Sequence, residues 1–147
     1  MFLIIELKCV LWLLKEYGLA ILKINKKKFI YLISPNKINN KFYHNLNEVL
    51  QSGKISLFQM RFKKYSFKKK ILIGKKIKKI CKKSNVKLLI NDDPILTKKL
   101  NADGCHLGQK DTDIIEARKI LGKKIIGITC HNSIKLAKTA IKNKATI

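Results

Sequence analysis

Acidic residues are scarce in this chain of 147 residues, since nine Asp and Glu stand against 33 Lys and Arg, a formal net charge of +24. Such a charge attracts phosphates, nucleic acid or acidic lipid, but it carries no information on the fold. Arginine is scarce as well, because every basic residue except Arg61 and Arg118 is Lys. We attribute the abundance of Lys, Ile and Asn to an AT-rich genome, so the charge alone identifies no partner.

Cysteine pairs and long uncharged apolar runs are also missing. Cys9, Cys81, Cys105 and Cys130 lie far apart, without a Cys-x-x-Cys motif or the Cys/His spacing of a zinc module. We interpret them as free thiols of a reducing compartment. No stretch reaches the roughly 18 uncharged residues that a membrane-spanning helix needs. We therefore expect a cytoplasmic protein with no membrane partner, folded as one domain around its 46% of hydrophobic residues.

From Phe29 onward, short apolar runs alternate with longer stretches of helical periodicity, which indicates βα units on a parallel sheet. We predict five strands, at residues 29–34, 55–60, 87–91, 104–107 and 124–129. The predicted helices cover residues 42–51, 67–84, 94–100, 112–121 and 133–142, and residues 145–147 begin a sixth strand. The fold class is α/β. A doubly wound sheet could close on five strands, whereas a (β/α)₈ barrel needs about 250 residues and would be partial here, in a C-terminally truncated chain.

Residues 1–28 lie outside this alternation, and we treat them as an N-terminal extension. Two interpretations stay open. The extension is either an additional helix that covers one end of the sheet, or the product of a start codon placed too early.

Polar side chains gather where the predicted strands end. Because parallel α/β folds bind ligands at the carboxyl ends of their strands, we expect these groups to face one another. Arg and Lys suit phosphate oxygens, and a pair of carboxylates suits Mg²⁺ together with substrate phosphates. The candidate residues are Gln59, Arg61, Lys63, Asn91, Asp92, Asp111 and Thr129.

Other polar residues have structural interpretations. Asp93 precedes a proline and suits a helix cap, Asp103 suits a turn, and His106, within a strand, suits a satisfied core imidazole. Loop and ligand roles are equally open for His131. Those expected on the surface, at helix ends or in packing are His44, Asp113, Glu116 and Arg118.

In these motifs the chain resembles the thiamine-phosphate synthase family, also called the thiamine monophosphate synthase or TenI-like family. The resemblance covers about residues 29–147. It begins with Tyr31-Leu-Ile-Ser-Pro35 and rests on the order and spacing of the motifs that follow. These are Gln59-Met-Arg-Phe-Lys63, Leu89-Ile-Asn-Asp92, Ala102-Asp-Gly-Cys-His-Leu-Gly-Gln109, Asp111 and Gly127-Ile-Thr-Cys-His131.

The resemblance implies a (β/α)₈ barrel and a transferase that joins a hydroxymethylpyrimidine diphosphate to a thiazole phosphate, which gives thiamine phosphate and pyrophosphate. It implies that Asp92 and Asp111 hold the cofactor Mg²⁺ and that Thr129 faces the pyrimidine. The remaining implied substrate-binding residues are Gln59, Arg61, Lys63 and Asn91. The family mechanism is dissociative and requires no nucleophilic side chain, and no catalytic acid or base is assigned.

The chain departs from the family at Phe62, where an acid is common, and at residues 1–28, which match nothing we can place. The family's thiazole-phosphate motifs would follow residue 147, so we expect an open sheet edge that pairs with a second copy or a complementing chain. One possibility is that this truncated chain is an inactive remnant of the synthase. Two alternatives of other function remain. One is a thiazole tautomerase-like protein with His131 as its acid and base, and the other is a basic nucleic-acid-binding protein in which aromatics alternate with Lys63, Lys64 and Lys68.

Overall fold

The computed structural model describes residues 2–6 and 29–147. Six strands and five helices lie within these ranges. The strands are β1 (Phe2–Glu6), β2 (Phe29–Ile33), β3 (Ile55–Met60), β4 (Lys87–Asn91), β5 (Gly104–Leu107) and β6 (Ile125–Ile128). The helices are α1 (Phe42–Gln51), α2 (Phe67–Lys83), α3 (Pro94–Leu100), α4 (Ile114–Leu121) and α5 (Ile134–Lys142).

The strands form one parallel sheet in the order β1-β2-β3-β4-β5-β6, so each strand pairs with its neighbours in sequence. From β2 onward a helix follows every strand. This confirms the predicted α/β class and the partial barrel. Residues beyond α5 continue along β6, because the Thr146 amide donates to the Ile126 carbonyl at 2.7 Å and the Ile128 amide to the Ile147 carbonyl at 3.0 Å. These are the bonds expected at the start of a further strand.

The helix that one interpretation placed within residues 1–28 is not formed at Phe2–Glu6, which instead pair in parallel with Phe29–Ile33. A short apolar run next to the open edge of β2 gains hydrogen-bond partners there that an isolated helical turn would lack. The rest of that extension, residues 7–28, lies outside the described residues. Its boundary at residue 28 stays a prediction.

Alternating side chains of the strands divide the core in two, as a period of two requires. Leu32, Phe58 and Ile90 face the helices and are at most 1% exposed. Tyr31, Leu57, Leu89 and the partly buried Ile125 pack together on the other, inner face of the sheet. Residues that continue the inward-facing alternation just past these strands therefore lie together at the carboxyl end of the inner face.

Side-chain caps set where the helices begin. Ser66 Oγ accepts a hydrogen bond from the Lys69 amide, and Ser133 Oγ accepts one from the Leu136 amide. Helix α4 begins later than predicted because Asp113 itself is the cap. Within residues 2–6 and 29–147, no helix is long and apolar enough to cross a membrane.

Candidate active site

All seven predicted site residues lie at or just beyond the carboxyl ends of β3 to β6. Three belong to β3 and the loop after it (Gln59, Arg61, Lys63), two to the end of β4 (Asn91, Asp92), one to the loop after β5 (Asp111) and one to the end of β6 (Thr129). Gln59 contacts Asn91 and Lys63 contacts Asp92, whereas Thr129 contacts His106 and Gln109 instead of the other six residues.

The side chains of Gln59 and Asn91 bind each other across neighbouring strands. Gln59 is 3% exposed, and its Nε2 donates to Oδ1 of Asn91 at 2.5 Å. This bond occupies the carbonyl oxygen of Asn91, so its amide N–H groups stay available as donors for a ligand. The pair also fixes the spacing of β3 and β4 at the mouth of the site.

The backbone around Arg61 is tied to the end of β2. The Arg61 amide donates to Oγ of Ser34 at 2.8 Å, and the Ser34 amide donates to the carbonyl of Gln59 at 2.9 Å. Ser34 is buried, so this double link holds the Gln-x-Arg-x-Lys segment in place. Lys63 lies two residues further on, with its Nζ 3.8 Å from Oδ2 of Asp92 and its side chain 59% exposed.

Asp92 and Asp111 come from two different strand ends, and Asp111 lies close enough to affect the pKa of Asp92. Burial raises the pKa of Asp92, the hydrogen bond and charge of Asp111 raise it further, and the charges of Lys63 and Arg61 oppose this. Oδ2 of Asp111 also accepts a hydrogen bond from the Gly108 amide at 2.7 Å. Two carboxylates held this close repel each other when both are ionised, and a divalent cation between them would relieve that repulsion.

The donor set fits Mg²⁺ rather than a metal enclosed by protein ligands. Among the described residues no group of three or more His, Cys, Asp or Glu side chains could hold a metal ion. Mg²⁺ commonly takes one or two carboxylates and completes its shell with water and substrate phosphates. Asp92 and Asp111, with the cations of Lys63 and Arg61 next to them, match that pattern.

A cavity of about 340 Å³ opens beside these groups. Lys63, Asn91 and Asp92 line it together with Lys70 from the first turn of α2. The spacing of the lysines along α2 does not distinguish Lys70 from its neighbours in the sequence. The buried side chain of Phe62 forms part of the same wall and packs 5.4 Å, centroid to centroid, from Tyr65.

The sequence interpretation missed a hydrogen-bonded chain on the inner face of the sheet. Nδ1 of His106 lies 3.1 Å from the hydroxyl of Tyr31, and its Nε2 lies 3.0 Å from Oγ1 of Thr129. The expectation of a satisfied imidazole holds, but one of its partners is a predicted substrate-binding residue. The one indication in the sequence is that the alternation of residues along their strands directs all three side chains to the same face of the sheet.

The remaining polar residues have structural roles. Asp93 caps α3 through a 2.8 Å bond to the Leu96 amide, as expected. Asp103 does not only occupy a turn, because its Oδ2 also accepts a hydrogen bond from the Leu88 amide at 2.9 Å. His44 is exposed beside Glu48. His131 is exposed, with a left-handed backbone at φ 49°, and makes no described side-chain hydrogen bond.

Comparison with known proteins places these residues in a family. The family model for thiamine monophosphate synthase matches residues 30–147. A thiamine-phosphate synthase of Pelagibacter ubique (strain HTCC1062) is 68% identical over 124 residues, which are 84% of this chain and 59% of the relative. One of Marinobacter nauticus is 40% identical over 99 residues, 67% of this chain and 45% of the relative.

A solved structure, thiamine phosphate pyrophosphorylase from Pyrococcus furiosus, superposes with a TM-score of 0.72 at 26% identity. The match covers 80% of this chain and 56% of that one. The chain thus spans about half to three fifths of the length of the proteins it matches. With the matching fold, the family model over residues 30–147 and the 68% identity, the chain belongs to the thiamine monophosphate synthase family.

Proposed function

We propose that this chain carries the pyrimidine-diphosphate part of the active site of a thiamine-phosphate synthase. That enzyme would be a transferase of thiamine biosynthesis, coupling hydroxymethylpyrimidine diphosphate with a thiazole phosphate to give thiamine phosphate and pyrophosphate. The observation that carries the proposal is that Asp92, 3.8 Å from the Lys63 ammonium, lies within the electrostatic influence of both Asp111 and Arg61 at the carboxyl ends of the strands.

In this proposal four residues, Gln59, Arg61, Lys63 and Asn91, hold the pyrimidine diphosphate. Arg61 and Lys63 supply positive charge, with the planar donors of Arg61 suited to two phosphate oxygens at once. Asn91 supplies amide donors because its carbonyl oxygen is occupied by Gln59. Thr129, across the mouth at the end of β6, faces the pyrimidine. Charge on one side and a neutral hydroxyl on the other would orient the substrate across the site.

Asp92 and Asp111 would hold Mg²⁺. The bound ion would neutralise charge on the leaving diphosphate, as metal ions do at phosphate groups. The fixed cations of Lys63 and Arg61 contribute in the same direction, and they need no reorganisation when negative charge develops on the leaving oxygen. The metal requirement and the cofactor identity are therefore part of the proposal.

The reaction would proceed by departure of the leaving group before attack. The bond between the pyrimidine methylene carbon and the diphosphate oxygen breaks, and its electron pair leaves with the diphosphate. The lone pair of the thiazole nitrogen then forms a bond to the same carbon, so no proton moves and no protein nucleophile is needed. Groups that bind the thiazole phosphate are not among the residues named here, and we propose that a further part of the barrel supplies them, in the same or an associated chain.

We propose a cytoplasmic location, supported by Cys81, Cys105 and Cys130, which are free thiols. Small-molecule substrates account for the basic residues at the site, so nucleic acid is not part of the proposed function.

Isothermal titration calorimetry with inorganic pyrophosphate, with and without Mg²⁺, tests the proposal. We expect the unaltered chain to bind pyrophosphate in the presence of Mg²⁺ and Asp92→Asn to lose that binding, since the variant removes one carboxylate at constant side-chain size. Glu116→Gln is the matched control, because it removes one exposed acid on the first turn of α4.

Two outcomes would contradict the proposal. Pyrophosphate binding that is equally tight without Mg²⁺ would indicate a merely basic surface. Equal loss of binding in Asp92→Asn and Glu116→Gln would show that general charge, rather than this carboxylate pair, governs the affinity.

A further inference from the structure

We propose that Tyr31 and His106 are positioning residues, which fix the hydroxyl of Thr129 as a hydrogen-bond donor toward the bound pyrimidine ring. The inference rests on the proposed function and adds to it the direction of the hydrogen bond between Thr129 and the pyrimidine. It starts from a chain of three side chains on the inner face of the sheet. The hydroxyl of Tyr31 on β2 contacts Nδ1 of His106 on β5, whose Nε2 contacts Oγ1 of Thr129 after β6.

The direction of the first hydrogen bond follows from burial. Tyr31 is 1% exposed, and burial strongly raises the pKa of its hydroxyl, so the group keeps its proton. In the described part of the chain, Nδ1 of His106 is the one hydrogen-bond partner of that hydroxyl. A buried hydroxyl hydrogen without an acceptor is costly, so Tyr31 donates and Nδ1 accepts.

The direction of the second hydrogen bond follows from the first. A neutral imidazole carries one proton, and an accepting Nδ1 places that proton on Nε2. Nε2 of His106 therefore donates to Oγ1 of Thr129 across 3.0 Å.

The hydroxyl hydrogen of Thr129 is then left for a ligand. Its oxygen accepts from His106, and its backbone is held by the Leu107 carbonyl, 2.9 Å from the Thr129 amide, and by Nε2 of Gln109, 2.6 Å from the Thr129 carbonyl. The side chain is partly exposed at the carboxyl end of the sheet. A pyrimidine ring nitrogen with a lone pair would accept this hydrogen bond, whereas a ring position that carries N–H would not.

The packing of the sheet reserves space for the imidazole. Gly127 is the register partner of His106 on β6, and a Cβ at Gly127 would lie 2.6 Å from Nδ1 of His106. Any larger residue would displace the ring from its position between Tyr31 and Thr129. The orientation of the three hydrogen-bonded side chains therefore depends on β2, β5 and β6 together.

The tautomer of His106 gives a direct test on the unaltered chain. With ¹⁵N-labelled histidine, the ring-nitrogen resonances of His106 are assigned by their loss in His106→Gln. We expect a protonated Nε2 and an unprotonated Nδ1 at neutral pH. A proton on Nδ1, or on both nitrogens, would overturn the proposal, and this measurement depends neither on a ligand nor on activity.

Binding of hydroxymethylpyrimidine diphosphate in the presence of Mg²⁺ gives the second test. Tyr31→Phe should weaken it by about three- to tenfold, the effect of one neutral hydrogen bond, and should leave the affinity for inorganic pyrophosphate within about twofold. Tyr43→Phe is the matched control, because it removes a phenol hydroxyl on α1 away from the site. Equal affinities in the two variants would overturn the proposal.

Thr129→Ser and Thr129→Val separate positioning from general damage. The serine variant keeps the hydroxyl and should bind the pyrimidine diphosphate nearly as the unaltered chain does, whereas the valine variant should lose about as much affinity as Tyr31→Phe. Combining Tyr31→Phe with Thr129→Val should add little further loss. Failure of the unaltered chain to bind pyrophosphate with Mg²⁺ would instead contradict the proposed function and leave the tautomer result standing.

Discussion

Gly127 and His106 lie opposite each other in the register of β5 and β6, and a Cβ at Gly127 would come within 2.6 Å of Nδ1 of His106. Real side chains do not approach this closely, so Gly127→Ala must displace the imidazole or part the strands. We expect the free energy of unfolding to fall by about 1–3 kcal/mol, the usual cost of overpacking. Urea denaturation measures it.

A double-mutant cycle identifies the cause. In a His106→Ala background the imidazole is absent, and Gly127→Ala should then cost much less. An unchanged cost in that background would show that the clash with His106 is not the reason for the destabilisation.

The buried imidazole of His106 predicts a specific loss of stability in acid. Burial lowers the pKa of His106 below its usual 6.5, so between the two values the unfolded chain binds more protons than the folded chain. Stability is therefore retained above pH 6.5 and lost as the pH falls through the lowered pKa. Urea denaturation at a series of pH values should show a shallower loss below pH 6.5 in His106→Gln than in the unaltered chain.

His44→Gln is the control for this pH series, since His44 is an exposed histidine whose side chain is 73% accessible. We expect it to leave the slope unchanged. The same shallower slope in both variants would contradict a special role for the buried ring.

Two adjacent lysines separate a specific diphosphate site from a diffuse basic surface. Lys63 lies 3.8 Å from Asp92, while Lys64 is exposed and makes no described ion pair. Lys63→Met should weaken Mg²⁺-dependent pyrophosphate binding by about tenfold or more, as expected for hydrogen bonds to a charged group. Lys64→Met, with the same change in net charge, should alter it less than about twofold. Comparable losses in both, measured by calorimetry, would favour the diffuse surface.

The strands could be predicted because a buried strand is visible in the sequence as a short run of apolar residues. Residues 55–60, 87–91 and 104–107 are short apolar runs between turn residues, and the structure has β3, β4 and β5 at those bounds. The Asp93 cap was equally local, since Asp93 directly precedes the helix that it caps. The strand at Phe2–Glu6 was missed because its partner, β2, lies more than twenty residues away and the intervening sequence has no clear period.

The site could be predicted in its composition but not in its connections. Placement of Asp92 and Lys63 at strand ends follows from the alternation of strands and helices. The contacts of His106 do not, because its two partners are 75 and 23 residues away in the chain and meet it through the register of the sheet. Short motifs report the type of chemistry, whereas sheet register decides which polar groups share a proton.

Asp103 provides a hydrogen-bond acceptor for a backbone amide near the start of β4. Its Oδ2 accepts a hydrogen bond from the amide of the buried Leu88 at 2.9 Å, and its Oδ1 lies 3.4 Å from Nζ of Lys87. Asp103→Ala leaves the Leu88 amide without this acceptor, and we expect a loss of about 1–3 kcal/mol in the free energy of unfolding. Asp103→Asn keeps an acceptor and should lose clearly less.

Lys87→Met tests whether the ion pair contributes instead. Both side chains are more than one third exposed, so the pair should be worth at most about 1 kcal/mol. If Lys87→Met proved as destabilising as Asp103→Ala in urea denaturation, the hydrogen bond to Leu88 would not be the dominant interaction.

Arg118 binds three backbone carbonyls at the end of the sheet opposite the site. Its Nη1 donates to the carbonyls of Gly122 at 2.5 Å and Lys124 at 2.7 Å, and its Nη2 donates to the carbonyl of Lys144 at 2.7 Å. A lysine keeps the charge but cannot present several donors in one plane. Arg118→Lys should therefore lower the free energy of unfolding by about 1–3 kcal/mol and speed hydrogen exchange at Thr146.

Thr146 is the informative amide because its bond to the Ile126 carbonyl, at 2.7 Å, holds the residues after α5 against β6. The Asp92 amide donates to the backbone carbonyl of His106 near the site. Its hydrogen-exchange rate should change only as far as the change in global unfolding requires. Lys119→Arg, a change at an exposed neighbour on α4, should affect neither amide. Since the contacts of Arg118 lie at the amino-terminal side of β6, pyrophosphate binding by Arg118→Lys should match that of the unaltered chain, and a parallel loss of binding would contradict this separation of stability from the site.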